Sequence, residues 1–556
     1  MRLLVIGAVA AGTSAAAKAR RNREDIEIVI YEKDKFISYS GCGMPYYVGG
    51  ELTDYEELIP RDPEFFKKKY NIDIMTEHEV LTIDPENKKI QVKNLTTGDV
   101  FWDVYDKLVI ATGATPVVPP INGVDRENVF VLRGIGDLNR ILDFMQEKQP
   151  KKAIIIGAGF IGLEMCENLT RRGLEVSLIE RLNQVSPSLD EDMAVYVQQY
   201  LEEKGIAVYT GTAVTEITEG GVKLDDGTRV EGELVILSTG VRPNTDLAKR
   251  AGIELGVANA IKVDERLRTN ISDIYACGDC AENYHIVLGK PVYRPLGSTA
   301  NRMGRIAGDS LTGGRMTFRG ILGSGIYRVF ELAVAQTGLT EREARQAGYD
   351  TVVCHDIKVD RPEYLGGKEM VIKGVADKDT GRLLGAQIVG YGGVDKRIDV
   401  FATAITFGAM AEDLFHLDLA YSPPFSTTRD PVAYTGMILD NAINRDRPLI
   451  TPQELSELIK SGENFVLIDA RDPKQYNKCH VEKSENIPHT SCRDVIVCKD
   501  KECIFITYCN EGKTGNAVQN ILKNYGIEKV YNLSGGLKNY MANCPDDMII
   551  KNDAES

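Results

Sequence analysis

The sequence predicts an α/β protein of several domains, and three observations carry that expectation. First, Leu3-Leu4-Val5-Ile6-Gly7 and Ala153-Ile154-Ile155-Ile156-Gly157 open two segments of one design. In each, a β-branched run gives way to small residues, then an alanine- or leucine-rich helix, then a second apolar run that ends in a glutamate. Second, 556 residues exceed what one core can bury, which implies roughly three to five domains. Third, the pattern changes after about residue 320 and restarts at Thr451-Pro452.

The N-terminal segment reads as strand, glycine turn and helix. That reading is preferred over a signal peptide, which its small apolar residues imitate. Its second strand, Ile28–Tyr31, ends at Glu32; the later unit's, Val176–Ile179, ends at Glu180. Beyond residue 320, Thr351–Val353 and Ala386–Val389 predict strands and 399–407 a helix, an α+β arrangement. After the loop 444–448 a separate small α/β unit follows, with apolar runs at Phe465–Ile468 and Ile504–Tyr508. The last six residues, 551–556, predict a frayed polar tail.

Hydrophobic residues at 43% and charged residues at 26% are ordinary for a globular chain. A net charge of −15 disfavours nucleic acids and anionic membranes as partners and leaves room for a local basic pocket. Since no apolar run approaches the ~18 residues of a membrane span, a cytoplasmic location is expected. The eleven cysteines then read as thiols rather than a disulfide framework.

Gly157-Ala158-Gly159-Phe160-Ile161-Gly162 is a complete GxGxxG in strand–helix context. Its glycines let a pyrophosphate approach the helix N-terminus, and Glu180 stands where a carboxylate accepts from a ribose 2′-hydroxyl. That favours NADH over NADPH, with Arg181 softening the preference. The first motif, Gly7-Ala8-Val9-Ala10-Ala11-Gly12, has valine in place of the middle glycine, and alone could be only a tight turn. Asp279, in Cys277-Gly278-Asp279-Cys280, can serve as a helix N-cap as well as a ligand group. A zinc site would want a second cysteine pair beside Cys277 and Cys280, and none is evident, so no metal is expected.

Cys42 follows Glu32 by ten residues, flanked by Gly41 and Gly43, with Pro45 able to begin a helix. A thiol at a helix N-terminus is expected to have a lowered pKa and a reactive thiolate; the alternative is a buried structural cysteine.

These residues make the chain resemble the single-cysteine branch of the pyridine nucleotide-disulfide oxidoreductases over residues 1–445. The resemblance is nearest to coenzyme A-disulfide reductases, persulfide and polysulfide reductases and NADH oxidases. It rests on the two glycine motifs, Val109–Pro116, Ile274–Cys280 and the Cys42 segment. Two-cysteine relatives carry a second thiol five residues on; here that position is Tyr47. The resemblance implies an FAD site at Gly7, Ala11, Gly12, Glu32, Lys33, Ser40, Val80, Ala111, Thr112, Gly113, Asp279, Leu296 and Ala300. It implies an NAD site at Gly157, Gly159, Phe160, Ile161, Gly162, Glu180 and Gly240. It implies coenzyme A contacts at Lys18, Arg21, Ser38, Lys69 and Arg302, although such charges are usually solvated faces. Leu419–Phe425 resembles the motif whose tyrosine reaches the thiol from the partner subunit, which makes Tyr421 the candidate proton donor. Tyr364 resembles a second such tyrosine in an imperfect motif, with Glu363 and Leu365 at variance. For both, plain packing is the alternative.

Leu467–Tyr476, Cys479–Val481, Asn486–Pro488 and Leu533–Leu537 resemble a rhodanese domain over 452–545. Cys509 then heads the loop Cys509–Gly515, whose backbone N–H groups can surround a thiolate or persulfide. Thr514 replaces the usual arginine, and Cys479 and Lys483 replace glycines. Cys492, Cys498, Cys503 and Cys544 are expected to be surface thiols.

The resemblance thus implies an FAD domain in two segments (1–112 and 243–320), an NAD(P)H domain (113–242), a dimerisation domain (321–445) and the rhodanese domain (452–545). It implies a homodimeric flavoenzyme that reduces a disulfide, persulfide or polysulfide. The competing readings are an NADH oxidase or peroxidase with a Cys42 sulfenate, a sulfurtransferase, and a non-catalytic redox sensor.

Overall fold

The two β-branched runs that open the glycine motifs are central strands of two parallel sheets. The computed structural model describes residues 1–495, 502–544 and 548–551. They form two units: Met1–Asn183 with Lys204–Gly323, and Gln184–Glu203 with Ser324–Ser556.

In the first unit, one sheet runs in the order Ile274–Ala276, Lys107–Ile110, Arg2–Ile6, Glu27–Tyr31, Asp73–Met75, all parallel. The other runs Ala207–Tyr209, Glu175–Ile179, Lys152–Ile156, Leu234–Leu237, Val129–Val131, again parallel. Strands such as Arg2–Ile6 and Lys152–Ile156 are buried along nearly their whole length, as sheets covered on both faces require. Helix Ala11–Asn22 packs closely on helix Gly297–Leu311 because Gly304 and Gly308 have no side chain. A Cβ at Gly304 would lie 2.2 Å from the Ala11 carbonyl oxygen, and one at Gly308 2.3 Å from that of Ala15. This contact brings the second segment of the unit onto the first glycine turn.

In the second unit, an antiparallel sheet has the order Gly325–Val329, Leu332–Gly338, Leu383–Gly390, Glu369–Asp377, Thr351–Val359. Helices Val394–Thr406 and Pro431–Asn444 pack against it, the former beginning before the predicted residue 399. The parallel sheet that follows has the order Leu449–Ile450, Val530–Leu533, Ile504–Tyr508, Phe465–Asp469, Ser484–Asn486.

Several expectations change. The small C-terminal sheet starts before residue 452: Leu449–Ile450 pairs with Asn532 and Leu533, because the preceding link is already fastened down. In that link the Pro448 carbonyl accepts from the Asn532 N–H at 3.1 Å and from Gln519 Nε2 at 2.8 Å, and Asp446 pairs with Lys523 at 2.6 Å. Lys551 is no frayed residue, since Ile549–Lys551 pairs with Cys479–Val481; the rest of the predicted tail lies outside the described residues. Cys492 and Cys544 are buried in two apolar clusters rather than surface thiols, Cys503 is half-buried, and Cys498 lies outside the described residues.

Helix Glu191–Glu203, in the midst of the second nucleotide segment by sequence, belongs to the second unit. Asp192 at its start accepts from Lys373 Nζ at 2.9 and 2.7 Å, and Lys373 also meets Asp190 at 3.2 Å and Glu341 at 2.6 Å. Asp192 also pairs with His355 Nε2 at 2.8 Å, while His355 Nδ1 lies 3.0 Å from the Ser534 hydroxyl. Lys373, His355 and Ser534 are all buried. No helix among the described residues is long and apolar enough to cross a membrane.

Candidate active site

The two glycine turns of the first unit are built alike. At each, a strand-end glutamate reaches back to its own turn. Glu32 accepts the Ala8 N–H at 2.7 Å and the Asp34 N–H at 3.0 Å; Glu180 accepts the Ala158 N–H at 2.8 Å and the Leu182 N–H at 2.9 Å. Burial pushes the Glu32 carboxyl up from its ordinary value, against these donors. Gly7 and Gly157 sit at φ +105° and +107°, where a side chain would be strained. A Cβ at Gly12 would lie 1.9 Å from the Gly7 carbonyl oxygen, and one at Gly162 2.0 Å from that of Gly157.

Both turns fit a dinucleotide. Helices Ala11–Asn22 and Phe160–Arg171 have no side-chain cap and no acid in the first turn, and a phosphate suits the positive end of such a helix. The sequence-predicted FAD segments converge here. A Cβ at Gly278 would lie 2.7 Å from Ala11 Cβ and 3.7 Å from Ala300 Cβ. Ser38, at φ +48°, donates its N–H to Ala8 at 2.9 Å, tying the Cys42 segment to the first turn. Thr112 and Gly113 are fixed by Asn244, whose Nδ2 donates to the Thr112 carbonyl at 2.9 Å and whose N–H donates to Gly113 at 2.9 Å. Leu296 is the N-cap residue of helix Gly297–Leu311, which carries Ala300 and the exposed Arg302. Val80 lies in strand His78–Asp84 beside a register shift, Lys33 is exposed, and Gly240 at φ +93° accepts the Val117 N–H.

Asp279 is not a helix cap: it lies in the turn after strand Ile274–Ala276 and pairs with Arg133 at 2.8 Å. Cys277 and Cys280 are fully buried, and Cys280 Sγ faces the Ile110 and Cys277 carbonyls, so they pack as small core residues. Among the described residues no group of side chains could hold a metal.

Cys42 lies in a single 3₁₀ turn, Gly41–Gly43, that leads into helix Met44–Gly49 with Pro45 in its first turn. It is exposed. The expected lowering of its pKa is reversed. The protein packed around it, with the Glu164 and Asp279 carboxylates, pushes the thiol up, and only the Arg133 guanidinium opposes them. Helix Met44–Gly49 is too short for its N-terminus to outweigh those carboxylates. Glu164, on helix Phe160–Arg171, also accepts from the Tyr46 hydroxyl at 3.2 Å, and Gly49 fits against Asn168 of that helix only because it lacks a Cβ. Tyr47, five residues beyond Cys42, packs edge-on against Tyr55 at 5.7 Å. Arg133 and Glu164 carry no motif of their own and come from other elements, so nothing local marks them in the sequence.

Of the basic residues expected at coenzyme A, Lys18 pairs with Asp309 at 3.2 Å, Arg21 is exposed, and Lys69 sits over Phe65. In the second unit Tyr421 and Tyr364 are 48% and 77% exposed, and Leu365, Phe407, Phe415 and Phe425 are exposed as well.

Cys509 stands at the end of the central strand Ile504–Tyr508 and is buried. Its Sγ accepts the Thr514 N–H at 3.2 Å from the first turn of helix Lys513–Asn524. The loop is braced from behind: the Cys509 carbonyl accepts from Leu537 and the Asn510 carbonyl from Lys538, and a Cβ at Gly536 would lie 2.4 Å from the Cys509 carbonyl oxygen. Arg471, clamped on Asp469 at 2.6 and 2.9 Å, reaches Asn510 Oδ1 at 3.2 Å. Arg471 was visible in the sequence as part of a motif, but its grip on the cysteine loop was not.

Comparison with known proteins agrees with this geometry. Residues 1–304 match the Pyridine nucleotide-disulphide oxidoreductase family, residues 326–432 its dimerisation domain, and residues 451–543 the Rhodanese-like domain. A protein named NADH oxidase from Methanocaldococcus jannaschii is 39% identical over 78% of this chain and 97% of its own. The NAD(P)H sulfur oxidoreductase (CoA-dependent) of Pyrococcus furiosus is 36% identical over 79% of this chain and 99% of its own. The crystal structure of reduced Bacillus anthracis CoADR-RHD superposes with a TM-score of 0.96 at 36% identity, covering 99% of each chain.

Proposed function

The chain belongs to the pyridine nucleotide-disulphide oxidoreductases, FAD-dependent enzymes that draw on NAD(P)H, and from that premise we propose that it reduces the sulfur–sulfur bond of coenzyme A disulfide, coenzyme A persulfide or polysulfide through Cys42. One observation carries the reading. Cys42 is an exposed thiol with tyrosine in place of the usual second cysteine, and the other cysteines of its unit, Cys166, Cys277 and Cys280, are buried. A thiol with no exposed cysteine beside it in its unit completes a disulfide exchange with a sulfur from outside that unit.

NADH and FAD, when bound, supply the two electrons that return Cys42 to its reduced state. The glycine turns, with Glu32 and Glu180, hold the two dinucleotides; Glu180 favours NADH, and NADPH remains an alternative substrate. The Cys42 thiolate attacks one sulfur of the substrate, forming a mixed disulfide and expelling the other sulfur as a thiolate. Tyr421 of the partner subunit, assisted by Tyr364, gives that thiolate its proton. Lys18, Arg21, Ser38, Lys69 and Arg302 line the approach of the coenzyme A phosphates. The homodimer, with its site shared between subunits, is supported by the dimerisation domain and by the exposure of both tyrosines in the chain. Cys509 takes up sulfane sulfur as a persulfide, with the Thr514 N–H facing the charged sulfur. The domain limits read from the sequence are kept as part of this proposal, except that the rhodanese sheet extends back to Leu449 and helix Glu191–Glu203 groups with the second unit. A cytoplasmic setting suits the ten cysteines that are free among the described residues.

The test is NADH consumption with coenzyme A disulfide, coenzyme A persulfide, polysulfide and oxygen in parallel. Cys42→Ser should abolish the first three. The relative named NADH oxidase supports a second reading, in which Cys42 cycles through a sulfenate. Oxygen consumption that far exceeds every sulfur acceptor would establish that reading and displace the first.

A further inference from the structure

Arg397 is the largest fully buried side chain of the protein's described residues, at 1% exposure, and it has no part in the chemistry above. Its guanidinium lies where the feet of two exposed arms meet. The first arm, residues 360–368, carries Tyr364. It is closed at its base, where the Asp360 N–H donates to the Lys368 carbonyl at 2.9 Å and the Lys368 N–H to Asp360 Oδ1 at 2.6 Å. Within it a tight turn is possible only because Gly367 lacks a Cβ, which would lie 2.0 Å from the Arg361 carbonyl oxygen. Arg397 Nη2 donates to the Asp360 carbonyl at 2.9 Å.

The second arm, residues 417–430, carries Tyr421 and ends at Asp430, which caps helix Pro431–Asn444 by accepting the Val432 N–H at 3.0 Å. Ser426 donates its hydroxyl to Asp430 Oδ2 at 2.8 Å. Arg397 holds this foot too. Nη2 meets Asp430 Oδ2 at 3.0 Å and Ser426 Oγ at 3.4 Å, and Nε meets Asp430 Oδ1 at 3.3 Å. Lys396 approaches the same carboxylate at 3.5 Å. The third side of the guanidinium is fixed by its own helix, where Nη1 donates to the Gly393 carbonyl at 3.0 Å. Gly392 and Gly393 leave the necessary room, since a Cβ at Gly393 would lie 2.0 Å from Nη1.

We propose that Arg397 is a positioning residue for the reaction at Cys42, setting both tyrosine-bearing arms relative to one another through their bases. The proposal rests on the assignment of Tyr421 and Tyr364 to proton delivery. Both tyrosines are exposed in the chain, so what orients them on this side is the anchorage of their arms. A planar fork with five donors spans the two feet and the helix together; a lysine ammonium is a point charge that cannot.

The test uses the full FAD-loaded protein with coenzyme A disulfide as acceptor. Arg397→Lys should lower kcat ~10-fold or more, with the KM for NADH unchanged, since misplaced proton transfer forfeits part of a ~100-fold or larger effect. The rate at which NADH reduces the bound flavin should stay the same. In a Tyr364→Phe, Tyr421→Phe background the same substitution should cost less than about twofold, because residues acting through one group are not additive. Ser426→Ala, which removes one strut and leaves the charges, should give a smaller loss with the same sub-additivity, and it carries the decision if Arg397→Lys does not fold. Unchanged kcat in the single variants, or losses that multiply in full with the tyrosine changes, would overturn the proposal. Full activity in the double tyrosine variant alone would refute the tyrosine assignment itself, and the proposal with it.

Discussion

Replacing Lys373 with methionine should cost the second unit roughly 3–5 kcal/mol, the range for breaking a buried ion pair and leaving its partner charged. Lys373 is 1% exposed and serves three carboxylates: Asp192 at 2.7 Å, Asp190 at 3.2 Å and Glu341 at 2.6 Å. Methionine fills the space and leaves those charges without their cation. For a unit of this size, each kcal/mol moves the melting temperature by about 2–4 °C, so a fall of roughly 6–20 °C is expected. The sign of the pH dependence follows from Asp192. Burial acts to raise its pKa, but Lys373 and His355 together hold the carboxyl below its ordinary value. A depressed carboxyl contributes stability above its unfolded pKa of about 4, and that contribution is lost as the pH falls through the folded value. Without Lys373, Asp192 loses a charge that holds it ionised and protonates more readily, so the gap between wild type and variant should narrow on acidification. Scanning calorimetry of the full protein measures both effects. The only tryptophan, Trp102, belongs to the first unit, and its fluorescence transition should stay in place as an internal control. A loss below about 1 kcal/mol, or a gap that is constant down to low pH, would refute the argument, since the pair would then lack the burial that makes its rupture costly.

Glu164→Gln removes a negative charge that raises the Cys42 thiol, so the pH midpoint for alkylation of Cys42 should fall; an unmoved midpoint would mean that packing alone sets it. Gly12→Ala places a Cβ 1.9 Å from the Gly7 carbonyl oxygen, so the purified protein should lack flavin absorbance, and a normal flavin content would show that the turn tolerates what its geometry forbids.

The repeated nucleotide units were legible because their signals are local. Gly7, Gly12, Gly157 and Gly162 mark turns where a Cβ has no room, and the β-branched runs before them are buried strands. Cys42 was legible for the same reason, through its flanking glycines and Tyr47. Its pKa reverses the sequence expectation because the folded chain packs around the thiol and brings the Glu164 and Asp279 carboxylates to it from distant positions. Helix Glu191–Glu203 could not be assigned to its unit by pattern, since the lysine that holds Asp192 lies 181 residues further on. Cys492 and Cys544 look like ordinary surface thiols in sequence and are core residues only through their partners in the folded sheet.

The fastened link between helix Pro431–Asn444 and strand Leu449–Ile450 constrains how sulfur can travel. A long slack tether would let the C-terminal domain carry a persulfide from place to place. Here the Pro448 carbonyl is held by Asn532 and Gln519, and the short stretch before it is pinned by Lys523. Within the second unit the chain between Asn444 and Leu449 therefore holds no slack, and a sulfur carried at Cys509, as proposed, gains no reach from that link.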